Sequence, residues 1–279
     1  MKKINRRSFL AAAGLTAAAL ALTACGGSAS STASSTASSA ASSEAASTSA
    51  AAGELTTVEA GKLTMATNAA FPPYEMTTDA GEFEGIDIET AQAIADKLGL
   101  ELQIDDMDFD AALLSVQQGK ADIVMAGVTV TDERKAVMDF SDSYATGIQS
   151  IIVPEGSDIA SPDDLAGKMI GTQRGTTGYI YCSDDFGDDA VVAYDDGLTA
   201  VQALNNGQVD AVVIDNAPAQ EFVAANPGLV ILDTSYAEED YAIGLAKGSA
   251  LEDAVNAALE ELKADGTLQS IVDKYITAE

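Results

Sequence analysis

Short apolar runs alternate with longer segments in which apolar residues recur at helical spacing, and this alternation predicts an α/β fold. The runs predict buried strands at residues 62–66, 100–104, 122–125, 169–172, 190–194 and 209–214. Helical spacing predicts helices at residues 86–99, 107–119, 198–206, 251–262 and 268–276. Residues 67–75 and 139–144 are predicted as loops, and residues 147–153 and 241–246 as extended segments.

One pattern occurs twice. Residues 113–124 and residues 201–212 both read as the end of a helix, a glycine, and then an aspartate before a Val-rich strand, 88 positions apart. This repetition predicts the same helix–strand unit in each of two lobes. We place the first lobe at residues 54–148 and 240–279 and the second at residues 149–239, with two segments crossing between them.

Polar groups follow the strand of each unit, where ligands of open α/β sheets bind. Ala126, Gly127 and Thr129 follow the first strand, and Thr131 is a predicted cap for a helix that carries Arg134. The Arg134 guanidinium, the Thr129 hydroxyl and the accessible backbone of Gly127 would together suit a small carboxylate ligand. The alternative is that Arg134 is a surface residue paired with Asp132 or Glu133. In the second lobe, a Gly-rich turn at residues 173–178 precedes a helix and suits an anion.

Charge and composition remove several classes of function. The 279-residue chain has a formal net charge of -30, no His and only two Cys. Such a surface argues against binding nucleic acid, which depends on basic residues. The lack of His excludes His-based triads and His-ligated metals, and we expect no metal or cofactor. Cys25 and Cys182 are too few for a zinc or disulfide framework, so we expect Cys182 to be a buried thiol.

The first 53 residues predict export and tethering. Residues 1–24 combine a basic start with an uncharged Ala-rich segment, as in a signal peptide. The run from Leu22 to Gly26 resembles a lipobox, which would make Cys25 the lipidated first residue; an ordinary cleavage site with an incidental Cys is the alternative. Arg6 and Arg7 also resemble a twin-arginine signal. Residues 25–53 are Ser/Ala-rich and predict a flexible tether.

The body of the chain, from about residue 55, resembles the solute-binding proteins of polar amino-acid ABC transporters. The resemblance rests on a combination of segments and residues, each weak alone: 85–94, 107–109, 126–134, 139–141, 175–177 and Asp215. It implies a type II periplasmic-binding-protein fold, in which two α/β lobes are joined by two crossing strands. It further implies a monomer that binds a free polar L-amino acid between the lobes and delivers it to a permease from the outer face of a membrane.

The resemblance also implies a role for each site residue. Arg134 would bind the ligand's α-carboxylate, assisted by Thr129, Thr177 and the backbone of Gly127. Asp215 would bind the α-ammonium. The remaining candidates are the aromatic residues that flank the ligand, the polar residues that select its side chain, and a neighbour in the first loop: Phe71, Phe109, Asn68, Gln173 and Ala126. Many relatives carry an acid at the position of Asn68, so a cationic ligand is less expected here. Taken alone, without the resemblance, Phe71 is more typical of a core residue than of a ligand-binding one.

Two other functions remain open from the sequence. The same fold class includes lyases, in which Asp87, Asp110 or Glu75 would do acid–base work, although no nucleophile–base pair is apparent. A tethered amino-acid sensor without a transport role is the second alternative.

Overall fold

The computed structural model describes residues 55–276. The predicted signal peptide, Cys25 and the tether lie outside the described residues. Within the described part, no helix combines the length and apolar character needed to cross a membrane.

The described chain contains both strands and helices. The strands are β1 (Lys62–Thr67), β2 (Ala70–Phe71), β3 (Glu75–Thr77), β4 (Phe83–Glu84), β5 (Glu101–Asp106), β6 (Ile123–Val124), β7 (Met138–Phe140), β8 (Ala145–Pro154), β9 (Ile170–Gln173), β10 (Val191–Tyr194), β11 (Ala211–Asp215), β12 (Leu229–Ile231), β13 (Ala237–Tyr241) and β14 (Gly244–Ala246). The helices are α1 (Ile86–Leu98), α2 (Phe109–Gln117), α3 (Asp132–Lys135), α4 (Thr177–Phe186), α5 (Gly197–Asn205), α6 (Asn216–Ala225), α7 (Glu252–Ala264) and α8 (Thr267–Tyr275), with 3-10 turns at Pro162–Leu165 and Asp188–Ala190.

The first large sheet has the strand order β5-β1-β6-β14-β7. Strand β1 runs parallel to β5 and β6, whereas β14 is antiparallel to β6 and β7. One face packs against α1, α7 and α8 through residues such as Ile94, Leu259 and Ile271. The other face packs against α2 through Leu113 and Val116. Burial on both faces explains why the central strands read as continuous apolar runs.

The second large sheet has the order β10-β9-β11-β8-β12, and β13 also pairs with β8. Helices α5 and α6 cover one face through Val201, Leu204 and Phe222. Helix α4 covers the other face, where Cys182 is fully buried, as predicted. The two predicted helix–strand repeats therefore correspond to α2–β6 in one sheet and α5–β11 in the other.

The chain passes from one sheet to the other twice. It leaves the first sheet after β7 and enters β8, and it returns from β13 to β14. Strands β8 and β13 pair antiparallel, with Glu239 opposite Gly147 and Tyr241 opposite Ala145. The lobe boundaries at 148/149 and 239/240 remain a prediction of the sequence.

Some local predictions were wrong. The predicted loop at residues 67–75 contains β2 and the start of β3, which with β4 form a small antiparallel sheet. Pro72 and Pro73, joined by a cis bond, occupy the turn between β2 and β3. Strand β7 occupies part of the loop predicted at 139–144. The missed strands are too short to show a clear alternation of apolar and polar residues. The extended segment predicted at 241–246 is confirmed, as the end of β13 followed by β14.

Candidate ligand-binding site

The loop after β6 brings several predicted site residues together. Gly127 has φ 56°, and a Cβ there would lie 2.9 Å from the ring of Phe71, so the close approach requires glycine. Thr131 Oγ1 accepts a hydrogen bond from the backbone N–H of Arg134 at 3.1 Å and caps α3, as predicted. This cap fixes the turn from which the Arg134 side chain leaves the backbone.

Arg134 is buried, with only 8% of its surface exposed. Its Nη1 donates to the carbonyl oxygen of Thr129 at 2.8 Å and its Nη2 to that of Gly175 at 3.1 Å. The guanidinium carbon lies 5.4 Å from the ring centroid of Phe109. The alternative of an exposed arginine paired with a neighbouring acid is therefore wrong. Burial lowers the pKa of Arg134, and the negative charge of Glu239 opposes this shift.

The second sheet contributes groups from the ends of β9 and β11. Thr177 is the first residue of α4, where backbone N–H groups have no partner within the helix. Gly175, with φ 75°, faces the Asp110 carboxylate so closely that a Cβ would overlap it. The turn at residues 173–178 therefore contacts α2, the helix that packs on the first sheet.

Asp215 ends β11 and is almost fully buried. Its Oδ1 accepts from the backbone N–H of Ala217 at 3.2 Å, so the carboxylate caps α6. Its Oδ2 accepts from the Tyr241 hydroxyl at 2.6 Å. Burial raises the pKa of Asp215 to about 6, although the Tyr241 hydrogen bond opposes the shift. Asp215 therefore caps a helix and also provides a buried carboxylate at the end of β11.

One cavity collects all the predicted site residues: Asn68, Phe71, Phe109, Ala126, Gly127, Thr129, Arg134, Gln173, Thr177 and Asp215. The other residues that line it are Glu75, Gln149, Thr176, Val213, Ile214 and Tyr241. The cavity thus lies between the two sheets and has an arginine and an aspartate among its walls. Which group of a ligand each residue contacts remains a prediction.

Hydrogen bonds cross this cavity from one sheet to the other. Gln173 Nε2 donates to Asn68 Oδ1 at 2.8 Å, while Asn68 Nδ2 donates to the carbonyl oxygen of Met107 at 3.0 Å. The Thr129 and Thr177 hydroxyl oxygens lie 3.4 Å apart. Together with the hydrogen bond between Arg134 and Gly175, these contacts show that the two sides of the cavity meet, which is a closed arrangement.

The backbone N–H of Gly127 is occupied within the protein. It donates to Asp87 Oδ2 at 3.0 Å, so this N–H is not free for a ligand in this structure. Asp87 and its neighbour Glu75 are both fully buried. Burial raises the pKa of Asp87 to about 6, and burial together with the charge of Asp87 raises that of Glu75 well above its ordinary value. Asp87, with Glu75 buried beside it, therefore stabilises the Gly127 turn through this hydrogen bond.

Six residues that line the cavity were not predicted as ligand-binding residues: Glu75, Gln149, Thr176, Val213, Ile214 and Tyr241. Glu239, which accepts hydrogen bonds from three lining residues, was also missed. Glu239 and Tyr241 are alternate residues of β13, so their side chains leave the same face of the strand. The polar composition of Ala237–Tyr241 concealed this strand, because an acid buried by hydrogen bonds is indistinguishable in sequence from an exposed one. Glu75 was considered from the sequence only as an acid–base residue of a lyase, and Gln149 carried no local signal.

Comparisons with known proteins support a single family. The model of the bacterial extracellular solute-binding proteins, family 3, matches residues 63–278. A probable histidine-binding protein of Neisseria gonorrhoeae is 33% identical over 99% of this chain and 98% of its own length. The ABC transporter glutamine-binding protein GlnH of Bacillus subtilis is 34% identical over 71% of this chain and 74% of its own.

A solved structure of an ancestral arginine-binding protein bound to arginine is also similar. It is 42% identical, covers 77% of this chain and 98% of its own, and superimposes with a TM-score of 0.74. The expected two-lobed α/β fold is thereby confirmed, as is the resemblance identified in the sequence. The chain belongs to the bacterial extracellular solute-binding proteins, family 3.

Proposed function

We propose that the protein binds a polar L-amino acid in the cavity between its two sheets and delivers it to the permease of an ABC transporter. Membership of the solute-binding family and the named relatives support this function. The observation that carries the proposal is that a buried arginine and a buried aspartate, Arg134 and Asp215, line the same cavity. An amino acid has one anionic and one cationic group, which these two side chains can bind.

In this proposal each lining residue has a role. Arg134 holds the α-carboxylate, because a guanidinium can donate two parallel hydrogen bonds to it. Asp215 accepts hydrogen bonds from the α-ammonium. Phe71 and Phe109 flank the ligand side chain, and Asn68 and Gln173 present amides to its polar end. Ala126, Gly127, Thr129 and Thr177 complete the walls of the cavity.

Ligand binding would stabilise the closed arrangement. Arg134 belongs to the loop after β6, whereas Asp215 ends a strand of the other sheet. A ligand that bonds to both favours the state in which the sheets are close, through its differential contacts with the closed and open states. Charge-assisted hydrogen bonds contribute about 1.5–3 kcal/mol each. Several of them, minus ordering costs, suffice for micromolar affinity, about 8 kcal/mol.

The family description places members of this family outside the cell. We propose in addition that Cys25 carries a lipid after cleavage of residues 1–24, and that residues 25–53 tether the binding protein to the outer face of the membrane. The protein would act without catalysis, since the named relatives are binding proteins. We propose that it does so as a monomer.

Native mass spectrometry of the freshly purified chain tests the function. We expect a retained amino acid, and calorimetry with L-arginine, L-glutamine, L-histidine and L-cystine should give saturable 1:1 binding of at least one. A chain that retains no ligand and shows no binding heat with any of these would contradict the proposal. Chemical conversion of a bound amino acid would instead indicate an enzyme.

A further inference from the structure

A second buried carboxylate, Glu239, lies immediately behind the cavity wall. It is on β13 and only 7% exposed. Its Oε2 accepts hydrogen bonds from Thr177 Oγ1 at 2.9 Å, Thr129 Oγ1 at 3.1 Å and Gln149 Nε2 at 3.1 Å. All three donors line the cavity, but Glu239 is not among the described residues that line it. Glu239 can therefore act on a ligand only through these neighbours and through its charge.

The direction of these hydrogen bonds is fixed by chemistry. An ionised carboxylate only accepts, and a threonine hydroxyl has a single hydrogen. Because Thr129 and Thr177 give that hydrogen to Glu239, their hydroxyl groups present only lone pairs to the cavity. Lone pairs accept hydrogen bonds from N–H groups of a ligand and cannot donate to its carboxylate. The assistance to Arg134 that we expected from Thr129 and Thr177 therefore cannot come from their hydroxyl groups.

The negative charge of Glu239 also disfavours the binding of a ligand carboxylate. The Arg134 guanidinium and the Asp215 carboxylate both sense the field of Glu239, which opposes the lowering of the Arg134 pKa and helps to raise that of Asp215. Glu239 therefore balances the buried charge of Arg134 in the absence of a ligand. A ligand carboxylate that binds Arg134 has to approach this second anion in a region where little water screens the two charges.

We propose that Glu239 is a positioning residue that weakens the hold of the cavity on the ligand's α-carboxylate, by retaining the hydroxyl hydrogens of Thr129 and Thr177 and by keeping a negative charge beside Arg134. The inference rests on the proposed function, since it concerns the same cavity. It implies that the carboxylate is bound mainly by Arg134 and by backbone N–H groups such as that of Thr177. It also implies that the hydroxyl pair favours N–H groups of the ligand.

The test compares each amino acid with its α-carboxamide, which has the same side chain and ammonium but no carboxylate charge. We would measure dissociation constants by calorimetry for L-arginine and L-argininamide, and for L-glutamine and L-glutaminamide, with the full chain. Each pair gives a preference ratio, the dissociation constant of the amide divided by that of the acid. In Glu239→Gln this ratio should rise about tenfold, because a like charge beside the buried carboxylate is removed.

A neighbouring residue provides the matched control. Glu238 is exposed on the opposite face of β13 and lines a different, solvent-open groove. Glu238→Gln removes the same charge one position away and should leave the preference ratio unchanged. Glu239→Asp keeps the charge and should stay near the wild-type ratio. Should Glu239→Gln fail to fold, Glu239→Met, which frees the hydroxyl hydrogens as well as removing the charge, should raise the ratio at least as much.

The outcomes separate the inference from the function on which it rests. A preference ratio that is unchanged or lower in Glu239→Gln, or that rises equally in Glu238→Gln, would overturn the inference and leave amino-acid binding intact. If the wild-type chain binds neither acid, the proposed function fails with these ligands, and the inference fails with it.

Discussion

The two charged groups of the cavity are held in different ways. Arg134 donates to Thr129 in its own loop and to Gly175 beyond β9, so its contacts span both sides of the cavity. Asp215 accepts from Ala217 in the adjoining helix and from Tyr241 at the end of β13, whose side chain packs in the core of the first sheet. Each charged group therefore has one partner on its own side of the cavity and one on the opposite side. The opposite partner of Arg134 is the backbone carbonyl of a turn, whereas that of Asp215 is a buried tyrosine hydroxyl.

The largest effect is expected from removing the arginine. Arg134→Ala should weaken amino-acid binding by more than about a hundredfold, because a buried charge-assisted pair is lost with a partner left unpaired. Calorimetry measures the dissociation constant of each variant for the amino acid. Arg174→Ala is the matched control, since Arg174 is exposed and bonds only at the surface to Ala193 and Asp195. Similar affinity in the two variants would contradict the assigned role of Arg134.

Two substitutions of Asp215 separate the contribution of its charge to binding from its contribution to stability as the cap of α6. Asp215→Asn retains an oxygen that can cap α6, so it should lose about ten- to a hundredfold in affinity with little change in unfolding free energy. Asp215→Ala should lose the same affinity and about 1 kcal/mol of stability in addition. Calorimetry and urea unfolding measure the two quantities. Equal stability of the two variants would show that the cap contributes nothing.

Acid should weaken binding through the same carboxylate. Burial raises the pKa of Asp215 in the free protein to about 6. A bound ammonium favours the ionised form and lowers this pKa, so affinity is complete above about pH 6 and is lost as the pH falls below it, about tenfold per unit for one linked proton. Titrations between about pH 4.5 and about pH 8 measure the slope. Asp87 has a pKa of about 6 as well, so Asp215→Asn is needed to isolate the contribution of Asp215.

The smallest expected effect concerns the turn that carries the arginine. Gly127→Ala should cost about 1 kcal/mol or more in stability, because φ is positive and the new Cβ would contact the Phe71 ring. Gly156→Ala is the control: its φ is also positive, at 81°, but nothing lies within 4 Å of the added Cβ. Equal unfolding free energies would show that contact with Phe71 is unimportant, whereas a lower affinity in Gly127→Ala alone would show that the turn positions the site.

The sequence predicted the side of the cavity built from strand ends better than the side built from β13. Arg134, Thr177 and Asp215 follow apolar strands, where side chains of an α/β fold converge. Glu239 lies in a polar segment whose strand exists because it pairs with β8, and such long-range pairing leaves no local pattern. Glu75 and Asp87 likewise look like surface acids, since only tertiary packing buries them beside Tyr144.

Helix α6 shows a further limit of prediction from the sequence. We predicted no helix directly after the strand at 209–214, yet α6 begins there. Pro218 occupies its first turn, where the missing N–H costs nothing. Phe222 packs against the second sheet, and such a tertiary contact is not given by any local rule.

The most direct test of the central claim is a crystal structure of the protein with its amino acid bound. We predict the α-carboxylate within hydrogen-bonding distance of the Arg134 guanidinium and the α-ammonium within hydrogen-bonding distance of the Asp215 carboxylate. A ligand bound in the reverse orientation, or outside this cavity, would contradict the account.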